Sequence, residues 1–286
     1  PKAMELADIR RVQDDWAAAA RRARAAGFDV VYVYGAHSYL PMQFLSPFYN
    51  RRTDEFGGTL RNRARILEEI AQAIRARTGD SYALSVKIPV GEDAPPLAPR
   101  TSFEDGIELC RMAEEFGYDA ITPVGLSVFP HASLCRGTDP SDILDTKSIR
   151  RRFEEALGGS KLKMAVLRWG YARAAKDYPF EPVWNRTYFT AAKKVVSIPV
   201  FAVGGIRTLD ECLTILDGGE ADMVGIGRPF YAEPGLPARL LGGDRVPAFC
   251  ESSNRCVPPQ QLGMKARCYN SNVARRLAEA RSERAV

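Results

Sequence analysis

The sequence has no run of about 18 consecutive apolar residues, the length that a membrane-spanning helix needs. It also shows no basic segment followed by an apolar one ahead of the first helix, which is the pattern of a secretion signal. These two absences predict a protein that does not associate with membranes and is located in the cytoplasm. The first residue is Pro1 and not Met, which favours a processed, trimmed or incomplete chain.

A strong excess of one charge sign is also absent. The 286 residues include 40 Lys and Arg and 35 Asp and Glu, which gives a net charge of +5. A nucleic-acid-binding protein would concentrate more positive charge on one face and carry a recognisable binding motif. We therefore expect no nucleic-acid partner. The hydrophobic fraction of 45% is ordinary for a globular protein, and the length suits one large α/β domain.

Helices and strands alternate along the chain. Runs of apolar and β-branched residues predict five strands, at residues 29–34, 83–88, 119–122, 199–203 and 222–226. Continuous apolar strands that alternate with helices predict a parallel sheet. No strand is followed by G-x-G-x-x-G, which disfavours a dinucleotide-binding fold. Because the candidate functional residues all follow strand ends, the pattern favours a (β/α)8 TIM barrel.

Two parts of the chain depart from this alternation. Residues from about 124 to 192 are interrupted by prolines, which predicts a long excursion over the barrel mouth with one or two helices. Residues 246–286 carry three of the six cysteines and are interpreted as a C-terminal extension. We therefore divide the chain into a barrel portion, residues 1–245, and this extension.

The most specific stretch runs from Tyr32 to Leu40 and contains Tyr34-Gly35-Ala36-His37. It continues through Gln43-Phe44-Leu45-Ser46-Pro47 to Asn50-Arg51-Arg52-Thr53-Asp54-Glu55-Phe56-Gly57-Gly58. These residues resemble the Old Yellow Enzyme family of FMN-dependent NADH:flavin oxidoreductases. The form Tyr-Gly-Ala-His is most similar to the trimethylamine dehydrogenase and 2,4-dienoyl-CoA reductase branch. The resemblance covers residues 5–125 and 195–270, and it implies that about strands 4–8 of the barrel are present.

The resemblance implies a role for several strand-end residues. Tyr34 and His37 would lie over the flavin and bind the polar group of a small-molecule substrate. Lys87 would stabilise negative charge at one edge of the reduced flavin ring. The FMN phosphate would bind at Gly204, Gly205, Gly227 and Arg228. From the residues alone, other interpretations are open. Tyr34 and His37 could be core residues, Lys87 could be a surface lysine, and the glycines could belong to two ordinary turns that end strands.

The cysteines provide two different signals. Cys110 and Cys212 lie among apolar residues of predicted helices, where a free cysteine is often simply buried. Cys250, Cys256 and Cys268 approach the spacing of the family's iron–sulfur branch, but Ser253 occupies the second position. Because a cluster normally takes four thiolates, we expect these degenerate positions to hold neither a [4Fe–4S] cluster nor another metal.

Three functions remain open at this point. The first is reduction of an activated C=C bond with NAD(P)H as the electron donor. It is ranked first because amine oxidation in the iron–sulfur branch passes its electrons on through the cluster, which this chain is expected to have lost. The second is an FMN-dependent amine dehydrogenase, which the pair of Tyr34 and His37 favours. The third is a degenerate, non-catalytic barrel subunit. Since the resemblance leaves the first strands unaccounted for, another chain is a candidate for completing the barrel.

Overall fold

The structure is a computed structural model and describes residues 3–129 and 135–283. Five strands are present in these residues: β1 Val30–Tyr34, β2 Ala83–Asp93, β3 Ala120–Ser127, β4 Phe201–Val203 and β5 Met223–Gly225. The long helices that accompany the first strands are α1 Leu6–Ala25, α3 Leu60–Thr78 and α4 Phe103–Glu115, with a short α2 Leu40–Leu45 after β1. The remaining helices are α5 Lys147–Ala156, α6 Lys161–Asp177, α7 Arg186–Lys193, α8 Leu209–Asp217, α9 Arg228–Ala232, α10 Leu236–Leu241, α11 Val257–Gln261 and α12 Ser271–Glu283.

The strands follow one another in chain order. β1 pairs with β2 and β2 with β3, both in parallel, with Val33 opposite Val86 and Val86 opposite Ile121. A parallel bridge joins Ile121 to Val200, just ahead of β4, and β4 pairs with β5. Sequential parallel pairing with helices between the strands is the arrangement of a (β/α)8 barrel, and the predicted fold class is confirmed for five of its strands.

The helices beside the first strands form as their sequences require. Thr59 accepts a hydrogen bond from the Asn62 backbone at 3.2 Å, and Ser102 accepts one from the Asp105 backbone at 3.0 Å, so both cap a helix start. Helix α3 buries an apolar face that includes Leu67 and Ile70. Burying each such side chain stabilises the fold by about 1.5–3 kcal/mol.

Some elements are longer than their sequence patterns predict. Strand β2 continues to Asp93 and β3 continues to Ser127, so β3 extends into the predicted excursion. The excursion also holds more helix than expected, because a 3-10 helix at Ser141–Asp145 is followed by the three helices α5, α6 and α7. Its own core packs Leu144, Ile149 and Phe153 together. Pro140 comes just before the 3-10 helix, and Pro179 and Pro182 lie between α6 and α7, so these prolines do not interrupt a helix.

The chain forms two compact units. The first comprises residues 1–130, 185–202 and 219–224, and the second comprises residues 131–184, 203–218 and 225–286. The division into 1–245 and 246–286 that the sequence suggests stays a prediction. Among the residues described, no helix is both long enough and apolar enough to cross a membrane.

Candidate functional site

Three of the predicted site residues lie together in the first unit. Tyr34 is the last residue of β1 and lies opposite Lys87 in the parallel register with β2. The Lys87 ammonium is 3.5 Å from the Tyr34 hydroxyl and 4.9 Å from the centre of its ring. The same hydroxyl lies 2.9 Å from Nδ1 of His37. The phenol is therefore placed between an imidazole and an ammonium group; the roles of Tyr34 and His37 toward a flavin and a substrate stay predictions.

The turn after β1 is built to hold this arrangement. A Cβ at Gly35 would lie 2.5 Å from the backbone oxygen of Lys87, so only glycine allows the two strands to approach here. His37 and Ser38 then adopt left-handed conformations with φ of 54° and 62°. Such conformations are costly for residues other than glycine, by about 1–3 kcal/mol, and they gather at functional sites.

Contacts of Ser38 stabilise the strained turn. Its backbone N–H donates to the Met42 sulfur at 2.8 Å, and its carbonyl accepts from the Gln43 amide at 2.7 Å. Its hydroxyl donates to the Val128 carbonyl at 3.2 Å, which links the turn to the end of β3. These contacts explain why the Gln43 to Pro47 part of the motif accompanies the Tyr34 to His37 part.

Lys87 is a partly buried cation. Burial lowers the pKa of its ammonium to about 8, because the charged form loses hydration. In the part of the chain that the structure describes, no carboxylate forms an ion pair with it; its one hydrogen bond there is to Tyr34. A positive charge of this kind can stabilise an electron-rich ligand beside it.

Tyr39 belongs to the same site, although the sequence analysis did not single it out. Its ring meets the Tyr34 ring edge-on at a centroid distance of 5.1 Å, and Tyr39 is 58% exposed. An exposed aromatic ring next to the polar pair is a surface on which a flat ligand can pack. Its position five residues after Tyr34 in the specific motif is the signal that could have identified it.

The predicted phosphate-binding residues all lie in the second unit, but their surroundings differ. Arg228 donates to the side chain of Asn254 and, at 2.7 Å, to the carbonyl of Arg136. Gly205 has a φ of 80°, and a Cβ there would come within 2.5 Å of the Glu181 carbonyl. At Gly227 a Cβ would meet no atom within 4 Å. The opening therefore lies at Gly227, whereas Gly205 is covered by the chain itself.

The degenerate cysteine positions also lie in the second unit. The Ser253 hydroxyl accepts a hydrogen bond from the Asn270 amide at 3.2 Å, and the Cys268 N–H donates to the Tyr231 carbonyl at 2.9 Å. Over residues 3–129 and 135–283, no three His, Cys, Asp or Glu side chains are close enough to hold a single metal ion.

A sequential parallel sheet with a tyrosine, a histidine and a lysine where β1 and β2 meet is the arrangement of part of a (β/α)8 barrel that carries polar side chains at its strand ends. Residues 1–122 match the model of the NADH:flavin oxidoreductase / NADH oxidase family, so this segment of the chain is similar to that family.

The relatives include enzymes with different reactions in their names. Dimethylamine dehydrogenase from Hyphomicrobium sp. (strain x) is 32% identical over 91% of this chain and 30% of its own length. NADH oxidase from Thermoanaerobacter brockii is 28% identical over 85% of this chain and 31% of its own length. The chain thus spans only about three tenths of these curated relatives.

Solved structures share the fold. The 6-hydroxypseudooxynicotine amine oxidase from Pseudomonas geniculata N1 superposes with a TM-score of 0.70 at 25% identity, over 93% of this chain and 34% of that one. The Old Yellow Enzyme homologue from Zymomonas mobilis has a TM-score of 0.56 at 22% identity, over 88% of this chain and 57% of that one. This second likeness concerns the fold alone.

Proposed function

We propose that the protein containing this chain reduces an activated C=C bond with electrons from NAD(P)H, using bound FMN. The observation that carries the proposal is the placement of the Tyr34 hydroxyl between His37 and Lys87 at the strand ends. The match of residues 1–122 to an NADH:flavin oxidoreductase family supports the flavin and the nicotinamide donor. FMN, when bound, supplies the acceptor and donor of hydride.

Lys87 fits such a cofactor. Its ammonium is partly buried, and no carboxylate neutralises it in the described part of the chain, so an electron-rich ring edge would find an unshared positive charge there. With a pKa of about 8, the group stays mostly protonated at neutral pH. We assign it the role of stabilising negative charge on the ligand beside it.

Tyr34 and His37 are assigned to the substrate. The Tyr34 hydroxyl can donate a hydrogen bond to a carbonyl or nitro oxygen, which withdraws electrons from an adjacent C=C bond. His37 lies within hydrogen-bond distance of that hydroxyl and can hold or exchange its proton. Tyr39 offers a ring surface beside them.

A second candidate is oxidation of an amine at the same site. It is favoured by the Tyr34–His37 pair together with a relative named dimethylamine dehydrogenase and a structural neighbour named as an amine oxidase. A phenol oxygen and an imidazole can accept hydrogen bonds from an amine as readily as they donate to a carbonyl. The two reactions therefore need a direct test.

The phosphate-binding assignment of Gly204, Gly205, Gly227 and Arg228 stays part of this proposal, with Gly227 as its most accessible member. A further chain segment or another chain that completes the barrel is proposed as a partner, because the five strands are part of an eight-stranded closed fold. The expectation that no [4Fe–4S] cluster is held, with Ser253 in the second position beside Cys250, Cys256 and Cys268, stays a prediction.

The test uses the full-length protein. It should purify yellow and release FMN on denaturation. Under anaerobic conditions, NADH or NADPH should bleach the flavin, and 2-cyclohexenone should restore its colour. If dimethylamine bleaches the flavin and reduced nicotinamide does not, amine oxidation is the function. A colourless protein that does not bind added FMN would contradict both reactions and support a non-catalytic subunit.

A further inference from the structure

Helix α6 is anchored in the second unit through one face. The apolar side chains of that face, which pack on the core of the excursion, are Met164, Leu167 and Tyr171. Beside them, Arg168 donates to the Ser141 carbonyl at 3.1 Å and forms an ion pair with Asp145 at 2.6 Å. Ser160 caps the first turn by accepting a hydrogen bond from the Lys163 backbone at 3.3 Å. The helix is therefore held in one orientation, and its other face cannot turn inward.

The opposite face of α6 carries a second apolar stripe, which nothing covers in the part of the chain that the structure describes. The stripe consists of Leu162, Val166 and Trp169, whose spacings of four and three residues place them on one side of the helix. Their exposed fractions are 75%, 57% and 68%. Single exposed apolar residues are ordinary, but three neighbours that include a tryptophan mark an interaction surface.

The charges around this stripe are unbalanced. Residues 141–177 contain nine Lys and Arg and five Asp and Glu. All five carboxylates are in ion pairs, and they are Asp142, Asp145, Glu154, Glu155 and Asp177. The cations of this segment that have no carboxylate partner among the described residues are Lys147, Arg152, Lys161, Lys163 and Lys176. The segment therefore has unpaired positive charge and no unpaired negative charge.

Three of these unpaired cations border the apolar stripe. Lys161 and Lys163 flank Leu162 on its two sides. Lys176 follows Trp169 by seven residues, two helical turns, and so lies on the same side of the helix as the stripe. The surface that complements this face has an apolar patch and unpaired carboxylates around it. A tryptophan at the centre of such a contact is the side chain that most often dominates its binding energy.

Other occupants fit this layout less well. A second copy of the chain would place the same cations opposite one another, and the segment has no unpaired carboxylate to meet them. An anionic lipid surface would attract the cations, but the apolar stripe is short, and beyond Trp169 the same side carries Arg173 in an ion pair with Asp177 at 2.6 Å. Nucleic-acid phosphates would leave the apolar side chains without a partner. The layout favours a protein.

We propose that the exposed face of α6 docks an acidic protein surface, with Trp169 against an apolar patch of the partner and the unpaired lysines facing its carboxylates. Because the helix is already anchored through its other face, docking costs little conformational entropy. The proposal goes beyond the proposed function, since α6 holds none of the residues assigned to the flavin or to the substrate.

The test uses the full-length protein and two synthetic peptides that form amphipathic helices. Both peptides carry leucines along one side; one has glutamates beside the leucines, and the other has lysines at the same positions. Fluorescence anisotropy should show that the glutamate peptide binds and that the lysine peptide does not. Raising NaCl from about 0.05 M to about 0.5 M should weaken the binding at least about fivefold, because salt screens the exposed charges.

Variants on the exposed side of α6 assign the binding to this face. Trp169→Ala should weaken binding of the glutamate peptide at least about tenfold, and Lys161→Glu should weaken it at least about threefold. The matched controls are Phe28→Ala and Arg21→Glu, which change an exposed aromatic residue and an exposed cation of the first unit and should leave binding unchanged. Circular dichroism and flavin content report whether each variant has folded.

A second measurement identifies the natural occupant. Full-length protein with a photo-crosslinking amino acid in place of Val166 is produced in its native cells, and the crosslinked peptide is sequenced by mass spectrometry. The expected adduct is a segment of another protein that combines apolar residues with Asp and Glu, and it should be lost in Lys161→Glu. The proposal would be overturned by an adduct within the same polypeptide, with a second copy or with lipid, by the absence of any adduct, by equal binding of the two peptides, or by equal effects of the variants and their controls.

Discussion

The hydroxyl of Tyr34 lies 2.9 Å from Nδ1 of His37, although the His37 backbone must adopt a left-handed φ of 54° to bring them together. That conformation costs about 1–3 kcal/mol. The turn tolerates this cost because Gly35 and the contacts of Ser38 stabilise it. A tyrosine and a histidine that served only the core would not need such a turn. This relationship makes the pair the first target for mutation.

Tyr34→Phe should lower turnover by roughly 10²-fold while flavin content and melting temperature stay near those of the wild type. The reason is that the substitution removes one hydroxyl that takes part in proton transfer and keeps the ring. Steady-state kinetics with 2-cyclohexenone and with dimethylamine measure the effect. Tyr32→Phe is the control, because Tyr32 is on the same strand and its hydroxyl bonds to Thr122 instead. Equal losses in both variants would assign Tyr34 to the fold.

Lys87→Met should change how stability depends on pH. The folded pKa of Lys87 is about 8 and lies below its ordinary value of 10.5, so between these values the unfolded chain binds more protons. The wild type should therefore gain stability as pH rises from 8 to 10.5, by roughly 1–3 kcal/mol after allowance for solvent. Urea unfolding at several pH values should show that this gain is missing in the variant. A parallel pH dependence in both proteins would contradict the assignment.

Gly35→Ala should destabilise the protein by about 1–3 kcal/mol, because its Cβ would press on the Lys87 carbonyl at 2.5 Å and force the two strands apart. Gly170→Ala is the matched control. Gly170 lies inside α6 with no atom within 4 Å of the added Cβ, so that change should be neutral or stabilising by up to about 1 kcal/mol. Denaturant unfolding compares the two. Similar effects at both positions would rule out the proposed close approach.

Arg228→Ala should weaken FMN binding by roughly 1.5–3 kcal/mol if the guanidinium holds the phosphate. Since Arg228 also bonds to Asn254, the loss could arise from that contact. Asn254→Gly removes the contact and tolerates the left-handed φ of 56° at this position. Fluorescence titration with FMN should show a large loss for Arg228→Ala and a small one for Asn254→Gly. Equal losses would assign Arg228 to its contacts with Asn254 and the Arg136 carbonyl.

Much of the local structure could be predicted from the sequence. The apolar runs at residues 83–88 and 199–203 mark strands because both faces of a parallel sheet are buried. Thr59 marks a helix start because its hydroxyl satisfies a free backbone N–H. Strand ends were less well predicted: β3 continues through Pro123 and Gly125 to Ser127, where pairing with β2 overrides the poor strand propensity of those residues.

The sequence by itself determined which residues are candidates for the chemistry, because Tyr34, His37 and Lys87 follow apolar strands and the barrel places strand ends at one edge. Only the tertiary structure decided how they meet, since the register of β1 and β2 brings Lys87 opposite Tyr34. It also decided that the Asn254 amide donates to the Cys135 carbonyl at 2.7 Å, across more than a hundred residues of chain. Local sequence contains no signal for such a contact, because it depends on docking between two loops and not on the propensity of either.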